Sequence, residues 1–204
     1  MSKLETNTID TVSGTSTLQV GSTNTSTITL GVSGDTINVP SGVTIANSGT
    51  ATGFGGDNTP AFNAYVASNT AISNATYTTV SLTEDFDTDN AFASNTFTVP
   101  SGEGGKYYFN YVLQIYGIGS SIVIARLEDS GGNQLMFNRN EFNSTNYALF
   151  SQNEITCSGI LTLSAGDTVI PRAYSNTFDA SNTNIAGGSD KSHTRFFGCK
   201  LIGI

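Results

Sequence analysis

The sequence predicts an all-β protein in two parts, a short stalk made of repeats and a larger sandwich-like head. Residues 1–53 contain no aromatic side chain, whereas all twelve Phe and all eight Tyr lie from Phe54 onward. Because Phe and Tyr bury the largest area per residue, only the second part can build a core of its own. In that part no stretch repeats apolar residues at helical spacing for three turns, which favours strands.

Composition excludes two classes of partner. The chain of 204 residues has a net charge of −8, and its eight Lys and Arg residues are scattered. Nucleic-acid binding needs clustered basic residues, so no nucleic-acid partner is expected. No run of 18 apolar residues is present, so no membrane insertion is expected either. The segment after Lys3 lacks the apolar stretch of a signal peptide, which predicts synthesis in a cytoplasm.

The two cysteines do not form a disulfide framework. Cys157 and Cys199 are the only thiols, and both fall within strand-like runs. Two cysteines in a chain of this length are typical of buried, unreactive thiols. A bridge between them or a metal site is the alternative.

The stalk is predicted over residues 1–48 from a loose repeat of apolar and polar residues. Leu18, Ile28 and Ile37 are ten and nine residues apart, with Gly, Ser, Asn and Asp between the repeats. Such spacing indicates short strands joined by turns in a stacked repeat. Two apolar residues per repeat cannot offset the ordering entropy of one chain, whereas several copies around one axis could share a core. The four repeats are TLQVG (17–21), TITLG (27–31), TINVP (36–40) and VTIAN (43–47).

The alternative for this segment is a disordered Ser/Thr-rich tether. Its low charge and regular β-branched residues count against disorder, which favours the opposite composition. The rhythm resembles the repeats of fibre and appendage proteins of bacteriophages, over about fifty residues. Residues 49–59, rich in glycine, are predicted to be a hinge between stalk and head.

The head is predicted to span residues 60–204 as a sandwich or jelly roll. Gly and Asn clusters separate its apolar runs at the intervals typical of such folds. In the strongest run, Lys106–Tyr116, every second residue is apolar or aromatic on one face. The candidate strands are Ala61–Ala67, Thr76–Leu82, Thr96–Val99, Lys106–Tyr116, Ser121–Glu128, Gln134–Asn138, Ala148–Leu163, Thr168–Ser175 and His193–Ile204.

The head resembles the globular head of the complement C1q family. The run GKYYFNY, from Gly105 to Tyr111, matches the G-x-Y-x-F-x-[FY] core of that family's signature, and Phe86 and Phe97 resemble its earlier aromatic positions. The segment PAFNAYVASNTAI at the start of the head and RFFGCKLIGI at its end resemble the first and last strands of that family. Two extra residues separate Phe97 from the motif, an expected upstream Asn is absent, and no Gly-X-Y collagen stalk is present.

This resemblance implies a jelly roll of two sheets, with ten strands in the family, similar to the tumour-necrosis-factor superfamily. It also implies assembly as a homotrimer, and a last strand that lies centrally in one sheet. A trimeric head and a trimeric repeat stalk are mutually consistent. The fold class expected is therefore an all-β, C1q/TNF-like jelly-roll head behind a short trimeric β-repeat stalk.

The acidic run Glu84–Asn90 is a candidate calcium site. Carboxylates at alternate positions suit calcium, which takes six to eight oxygen ligands. The run is not an EF-hand loop, because, counted from Asp85, the sixth position is Asn90 rather than Gly and the twelfth is Thr96 rather than Glu. The alternative is a solvated acidic loop between strands. The candidate calcium ligands are Asp85, Asp87 and Asp89.

Two turn-rich segments are candidate ligand sites, since binding surfaces are usually built on loops of a rigid scaffold. The first, residues 176–193, offers an aromatic ring and hydrogen-bonding groups that suit sugars, and its alternative is a flexible connection without function. Its candidates are Asn176, Phe178, Asp179, Asn182 and Asn184. The second segment offers Arg139, Glu141, Asn143 and Asn146.

Catalysis is not expected. His193 is the only histidine, so a histidine-based metal site or proton relay has no second member. No nucleophile elbow, P-loop or dinucleotide-binding fingerprint is present, and no cofactor is predicted apart from calcium. Carboxylate pairs of a glycosidase are the alternative.

The sequence thus favours a trimeric bacteriophage fibre or spike that resides in the virion. Its N-terminal segment would attach to other virion proteins, and its head would bind a glycan or protein on the host surface. The first alternative is a capsid head fibre or decoration protein without a receptor role. The second is a secreted binding trimer of complement or cytokine type.

Overall fold

The computed structural model describes residues 20–21, 23–24, 26–46, 58–116, 120–141, 152–177 and 183–202. The chain divides into two units, Met1–Ala51 and Thr52–Ile204. Every regular element of the described residues is a β-strand, and all of these strands lie in the second unit. None of the described segments contains a helix of the length and hydropathy that crossing a membrane requires.

In the first unit, residues 26–46 form two tight turns and no strand. One turn closes with a hydrogen bond from the Asp35 amide to the Val32 carbonyl at 3.0 Å, and the other from the Val43 amide to the Pro40 carbonyl at 3.2 Å. Gly34 and Gly42 occupy the third position of these turns with φ of 96° and 84°. Residues with a side chain adopt such positive φ values only with steric strain. The large apolar side chains of this segment are exposed, and they are Ile28, Leu30, Val32, Ile37, Val39, Val43 and Ile45. A core shared between copies stays a prediction.

The second unit is a sandwich of two antiparallel sheets. Sheet A has the order β2-β12-β7-β13-β1-β4, with β10 on the other edge of β7, and sheet B has the order β5-β6-β11-β8-β9, with β3 paired to β11. The described residues of this unit form thirteen strands, which are β1 (Ala61–Tyr65), β2 (Thr70–Ala71), β3 (Thr78–Thr79), β4 (Thr83–Asp87), β5 (Phe92–Ala93), β6 (Thr96–Thr98), β7 (Gly105–Tyr116), β8 (Ser120–Glu128), β9 (Gln134–Glu141), β10 (Gln152–Leu163), β11 (Thr168–Thr177), β12 (Asn184–Ile185) and β13 (Arg195–Leu201).

The core lies between the sheets and is centred on aromatic rings. Phe62 of β1 stacks on Phe92 with ring centroids 4.8 Å apart and on Phe97 at 5.1 Å, and it meets Phe196 edge to face at 4.9 Å. All four rings are buried. Aromatic pairs at these separations add about 0.5–1.5 kcal/mol beyond the area that they bury. Phe62 and Phe196 come from sheet A and Phe92 and Phe97 from sheet B, so this cluster joins the two sheets.

The last strand lies centrally in sheet A, as predicted. β13 pairs with β7 along one edge and with β1 along the other. Gly198 of β13 allows this packing, because a Cβ there would lie 2.5 Å from a ring carbon of Phe109. The all-β jelly-roll prediction is confirmed.

Two predicted loops contain strands instead. Residues 84–87 of the acidic run belong to β4, where pairing with Asn63 and Ala64 of β1 fixes their position. The segment 176–193 contains the end of β11 and all of β12, which pairs with β7 and β2. Both cysteines are free thiols. The structure describes no bridge between them.

Candidate functional site

The outer face of sheet B gathers aromatic and arginine side chains by strand register. Residues directly opposite each other in antiparallel strands point to the same face. Arg172 of β11 lies opposite Thr79 of β3 and opposite Arg126 of β8, and Arg126 lies opposite Phe137 of β9. One row of four side chains therefore crosses four strands.

The neighbouring row continues the pattern. Tyr174 of β11 lies opposite Ile124 of β8, which lies opposite Arg139 of β9. The ring of Tyr77 packs on Tyr174 with centroids 5.1 Å apart. We call this surface the Arg–Tyr face and define it by Tyr77, Arg126, Glu128, Phe137, Arg139, Glu141, Arg172 and Tyr174.

A buried glutamate organises two of the arginines. Glu128 is only 6% exposed. Its Oε1 accepts a hydrogen bond from Nε of Arg172 at 2.5 Å, and its Oε2 lies 3.2 Å from Nη2 of Arg126. Arg172 also donates to the Thr79 hydroxyl. A buried carboxylate requires such partners, so the two guanidinium groups are held in fixed positions.

Arg126 has two further contacts that fix its orientation. Its Nη2 donates to the Gly132 carbonyl at 2.7 Å. Its guanidinium lies over the Tyr77 ring, 4.8 Å from the centroid, which is a cation–π contact. The arginine is thus clamped between an anion, a carbonyl and an aromatic ring.

The charge of this face differs from that of the chain. Three of the four arginines of the sequence lie on it, with Glu128 and Glu141, which leaves the face at +1 while the whole chain carries −8. A third ion pair, Arg139 with Glu141, is exposed to solvent. This surface is therefore a local exception to an acidic protein.

Three residues predicted from the sequence meet at one end of this face. Asn176 of β11 lies opposite Ile122 of β8, and Ile122 lies opposite Glu141 of β9, two residues beyond Arg139. β9 and β11 run in the same direction, since both are antiparallel to β8. Asn184 lies apart from them, in β12 of sheet A. Phe178, Asp179, Asn182, Asn143 and Asn146 lie outside the described residues.

Sequence reasoning missed Tyr77, Arg126, Phe137 and Arg172 as site residues. Alternation alone could have placed Arg126 and Arg172 on the outward side of their strands. Alternation could not have shown that Arg172 pairs with Glu128, because these two residues are 44 positions apart in the chain.

The acidic segment holds its carboxylates in separate local contacts. Asp85 is the extra residue where the register shifts; it accepts from the Asn63 amide at 3.0 Å and pairs with Lys191. The hydrogen bond from Lys191, and then that from Asn63, lowers the pKa of Asp85. Asp87 accepts from the Phe92 amide at 2.7 Å, and Asp89 from the Thr88 hydroxyl at 2.6 Å.

The described residues contain no group of three or more His, Cys, Asp or Glu side chains that could hold a metal ion. Asp85, Asp87 and Asp89 each use at least one carboxylate oxygen in the contacts above. Calcium binding by these three residues stays a prediction.

The outer face of sheet A is a second, more apolar surface. It carries a groove of about 530 Å³, and Lys191 lies over the Tyr65 ring there, 5.5 Å from its centroid. Beside the groove, Tyr108 packs on Phe197 at 6.1 Å and lies opposite Ile160 of β10, which is 55% exposed. Burial raises the pKa of the Cys199 thiol. The groove is lined by Ala61, Phe62, Asn63, Tyr65, Phe86, Lys191, Arg195, Phe197, Gly198 and Cys199.

Comparison with known proteins identifies the fold class. No protein-family model matches the chain, and no curated protein matches it. Murine APRIL at pH 5.0 is similar in structure, with 13% identity, a TM-score of 0.50, and coverage of 69% of this chain and 98% of that one. The globular domain of zebrafish complement 1qA protein covers 70% of this chain and 97% of its own, with 17% identity and a TM-score of 0.46. The two antiparallel sheets and the likeness to APRIL show that the head has a jelly-roll fold of the kind found in APRIL.

Proposed function

We propose that this chain is a bacteriophage virion protein, a trimeric fibre or spike whose head binds a ligand on the host surface. The observation that carries the proposal is the apolar outer face of sheet A. It supports a head that associates with its own copies and leaves the polar Arg–Tyr face for a ligand.

The case for self-association rests on what the sandwich already buries. Its interior is filled by the aromatic cluster around Phe62, so Ile160, Tyr108 and Phe197 have no place there. Exposed contiguous apolar surface of this kind usually marks an interface. When one surface of a chain binds a different surface of the next copy, the copies close into a ring if each is rotated by the same fraction of a full turn. In a ring of three copies, the outer face of sheet A would be covered on each copy.

The case for the virion rests on the stalk. Its described apolar side chains are exposed in one chain, and they recur at the spacing that resembles phage fibre repeats. Several copies of this segment wound around one another would bury these side chains together. The N-terminal segment would then attach to other virion proteins, and three heads would raise avidity for a host glycan or protein without new contacts.

Trimer formation is tested by analytical ultracentrifugation of the full chain at micromolar concentration. We expect a trimer, and Ile160→Lys is expected to dissociate it because the charge would lie in the interface. Phe137→Lys, at a site of similar exposure on sheet B, is the matched control and should leave the trimer intact. A monomeric wild-type chain, or equal behaviour of both variants, would contradict this assembly.

The virion role is tested by immunogold labelling of particles and by competition for adsorption with the purified protein. Labelling together with blocked adsorption is the expected result. Labelling without a block would favour a head fibre or decoration protein. Absence of labelling would remove the virion role and favour a secreted binding trimer.

A further inference from the structure

We propose that the Arg–Tyr face binds a glycan that bears carboxylate groups. For the ligand's place on a host surface the inference rests on the proposed function, whereas the site itself rests on the geometry of sheet B. Two properties of the face support this binding. It has exposed aromatic rings, and it has arginines that are held in place beside them.

The aromatic rings offer a platform for sugar rings. Tyr77 and Phe137 are 37% and 54% exposed, although large aromatic side chains are usually buried in a sandwich. Tyr77 packs over the Arg126 guanidinium and Phe137 lies opposite Arg126 in the next strand, so the rings flank one cation. The apolar C–H side of a pyranose ring can stack on such an exposed ring.

The arginines supply donors for a carboxylate. A guanidinium group matches a carboxylate with two parallel hydrogen bonds. Glu128 and Thr79 orient Arg172, and Glu128 with Gly132 orients Arg126, so binding would sacrifice little side-chain freedom. Arg139 is about half exposed and lies in the adjacent row, where it can meet a second acidic sugar.

Charge favours a carboxylate-bearing glycan over a denser polyanion. The face carries a charge of +1 on a chain of −8, so a nucleic acid or a highly sulfated chain would be repelled by most of the molecule. A glycan with one carboxylate per sugar has a lower charge density, and one such carboxylate balances the +1 excess of the face. Its hydroxyl groups can exchange hydrogen bonds with the polar end of the face, where Asn176 and Glu141 lie.

The test uses the full chain and titration calorimetry with two probes of equal length, oligogalacturonate hexamer and its carboxyl-reduced counterpart. We expect saturable binding of the acidic hexamer and at least tenfold weaker binding of the reduced one, which corresponds to about 1.4 kcal/mol. A sialylated trisaccharide and its desialylated form are the second pair. Equal affinity within both pairs, or no binding of either acidic probe at millimolar concentration, would overturn the proposal.

Variants locate the site. Phe137→Ala and Arg139→Gln both change exposed positions. Each is expected to lower the affinity for the acidic hexamer about three- to tenfold and to leave the melting temperature unchanged. Lys106→Gln is the matched control, because it removes one positive charge from an exposed position in β7 of sheet A. Equal affinity of the wild type and both sheet B variants would place binding elsewhere and refute the assignment.

The two proposals fail separately. If the protein labels virions and blocks adsorption but binds neither acidic probe, this inference is wrong and the proposed function stands. If the acidic probes bind through Phe137 and Arg139 but no virion is labelled, the glycan site stands and the virion role is wrong.

Discussion

Replacing Tyr111 by phenylalanine is expected to stabilise the head. Tyr111 lies in the middle of β7, fully buried, and its hydroxyl has no hydrogen-bond partner among the residues that the structure describes. It lies opposite Cys157 of β10, a buried thiol whose pKa burial raises to about 11. Burial likewise raises the pKa of Tyr111 well above its usual value. The hydroxyl is therefore removed from water without compensation.

The size of the effect follows from the group that is removed. A buried donor without a partner costs about 1–3 kcal/mol. Phenylalanine keeps the ring and its edge-to-face contact with Phe196, and it leaves a void of one oxygen atom, worth a few tenths of a kcal/mol at about 24 cal/mol per Å³. The expected gain in unfolding free energy is therefore about 1–2 kcal/mol. At about 3 °C per kcal/mol for a domain of this size, the melting temperature should rise by several degrees.

Tyr107→Phe is the matched control for this prediction. The Tyr107 hydroxyl, four residues earlier on the same face of β7, donates to the Glu103 carbonyl at 2.6 Å. Loss of this hydrogen bond is expected to lower the free energy of unfolding by about 1 kcal/mol. The sign is opposite to that expected for Tyr111→Phe. Urea denaturation of the three proteins at equal concentration measures both changes. A Tyr111→Phe variant less stable than the wild type would show that the hydroxyl is hydrogen-bonded in solution and would refute the reasoning.

Four further predictions concern the fold, its titration and the acidic segment. Gly198→Ala should destabilise the head by about 1–3 kcal/mol in urea denaturation because its Cβ would overlap a buried ring, whereas Gly104→Ala, whose nearest neighbour would lie 3.5 Å away, should be near neutral. Deletion of residues 196–204 removes most of a central strand and should abolish folding; a soluble, cooperatively unfolding product would contradict the topology. Tyr107 and Tyr111 have raised pKa values, so between pH 10 and about 12 they are protonated in the folded head and ionised in the unfolded chain, and each should lower the stability by about 1.4 kcal/mol per pH unit over that range. Above pH 12 only the Tyr111 contribution continues, and replacing either tyrosine by phenylalanine should flatten the slope between pH 10 and 12. The two thiols, whose pKa values burial also raises, should begin to lower the stability from about pH 9. Calcium titration calorimetry should give heat with the wild type and none with the triple variant to asparagine, and no heat in either would remove the site formed by Asp85, Asp87 and Asp89.

The long strands could be predicted from the sequence because the alternation of apolar and polar residues is contained within each strand. In β7 the buried positions Tyr107, Phe109 and Tyr111 alternate with partly exposed ones, as strict alternation requires. The short strands could not be predicted in the same way. β12 has two residues and exists because β7 and β2 supply partners on both sides. In β4 the charged side chains suggested a loop, yet pairing with β1 outweighs their low strand propensity.

The candidate site could be predicted only in part. Arg139, Glu141 and Asn176 were found because they border turn-rich segments, where binding residues concentrate. Arg126 and Arg172 resemble ordinary outward-facing positions of alternating strands, and only the register of β8 with β11 brings both to Glu128. A single sequence contains the alternation but not the register. The composition of the face therefore became visible only in the folded chain.

The acidic strand β4 also determines how far sheet A can grow. β4 ends the sheet, and an unprotected edge of this kind is a template on which another chain can add a strand. The extra residue at Asp85 interrupts the hydrogen-bonding ladder, and the carboxylates of Glu84 and Asp87 beside it would repel a second acidic edge. Natural proteins use bulges and charges to discourage such pairing. The segment that the sequence presents as a cation site thus also protects a concentrated array of these heads against edge-to-edge aggregation.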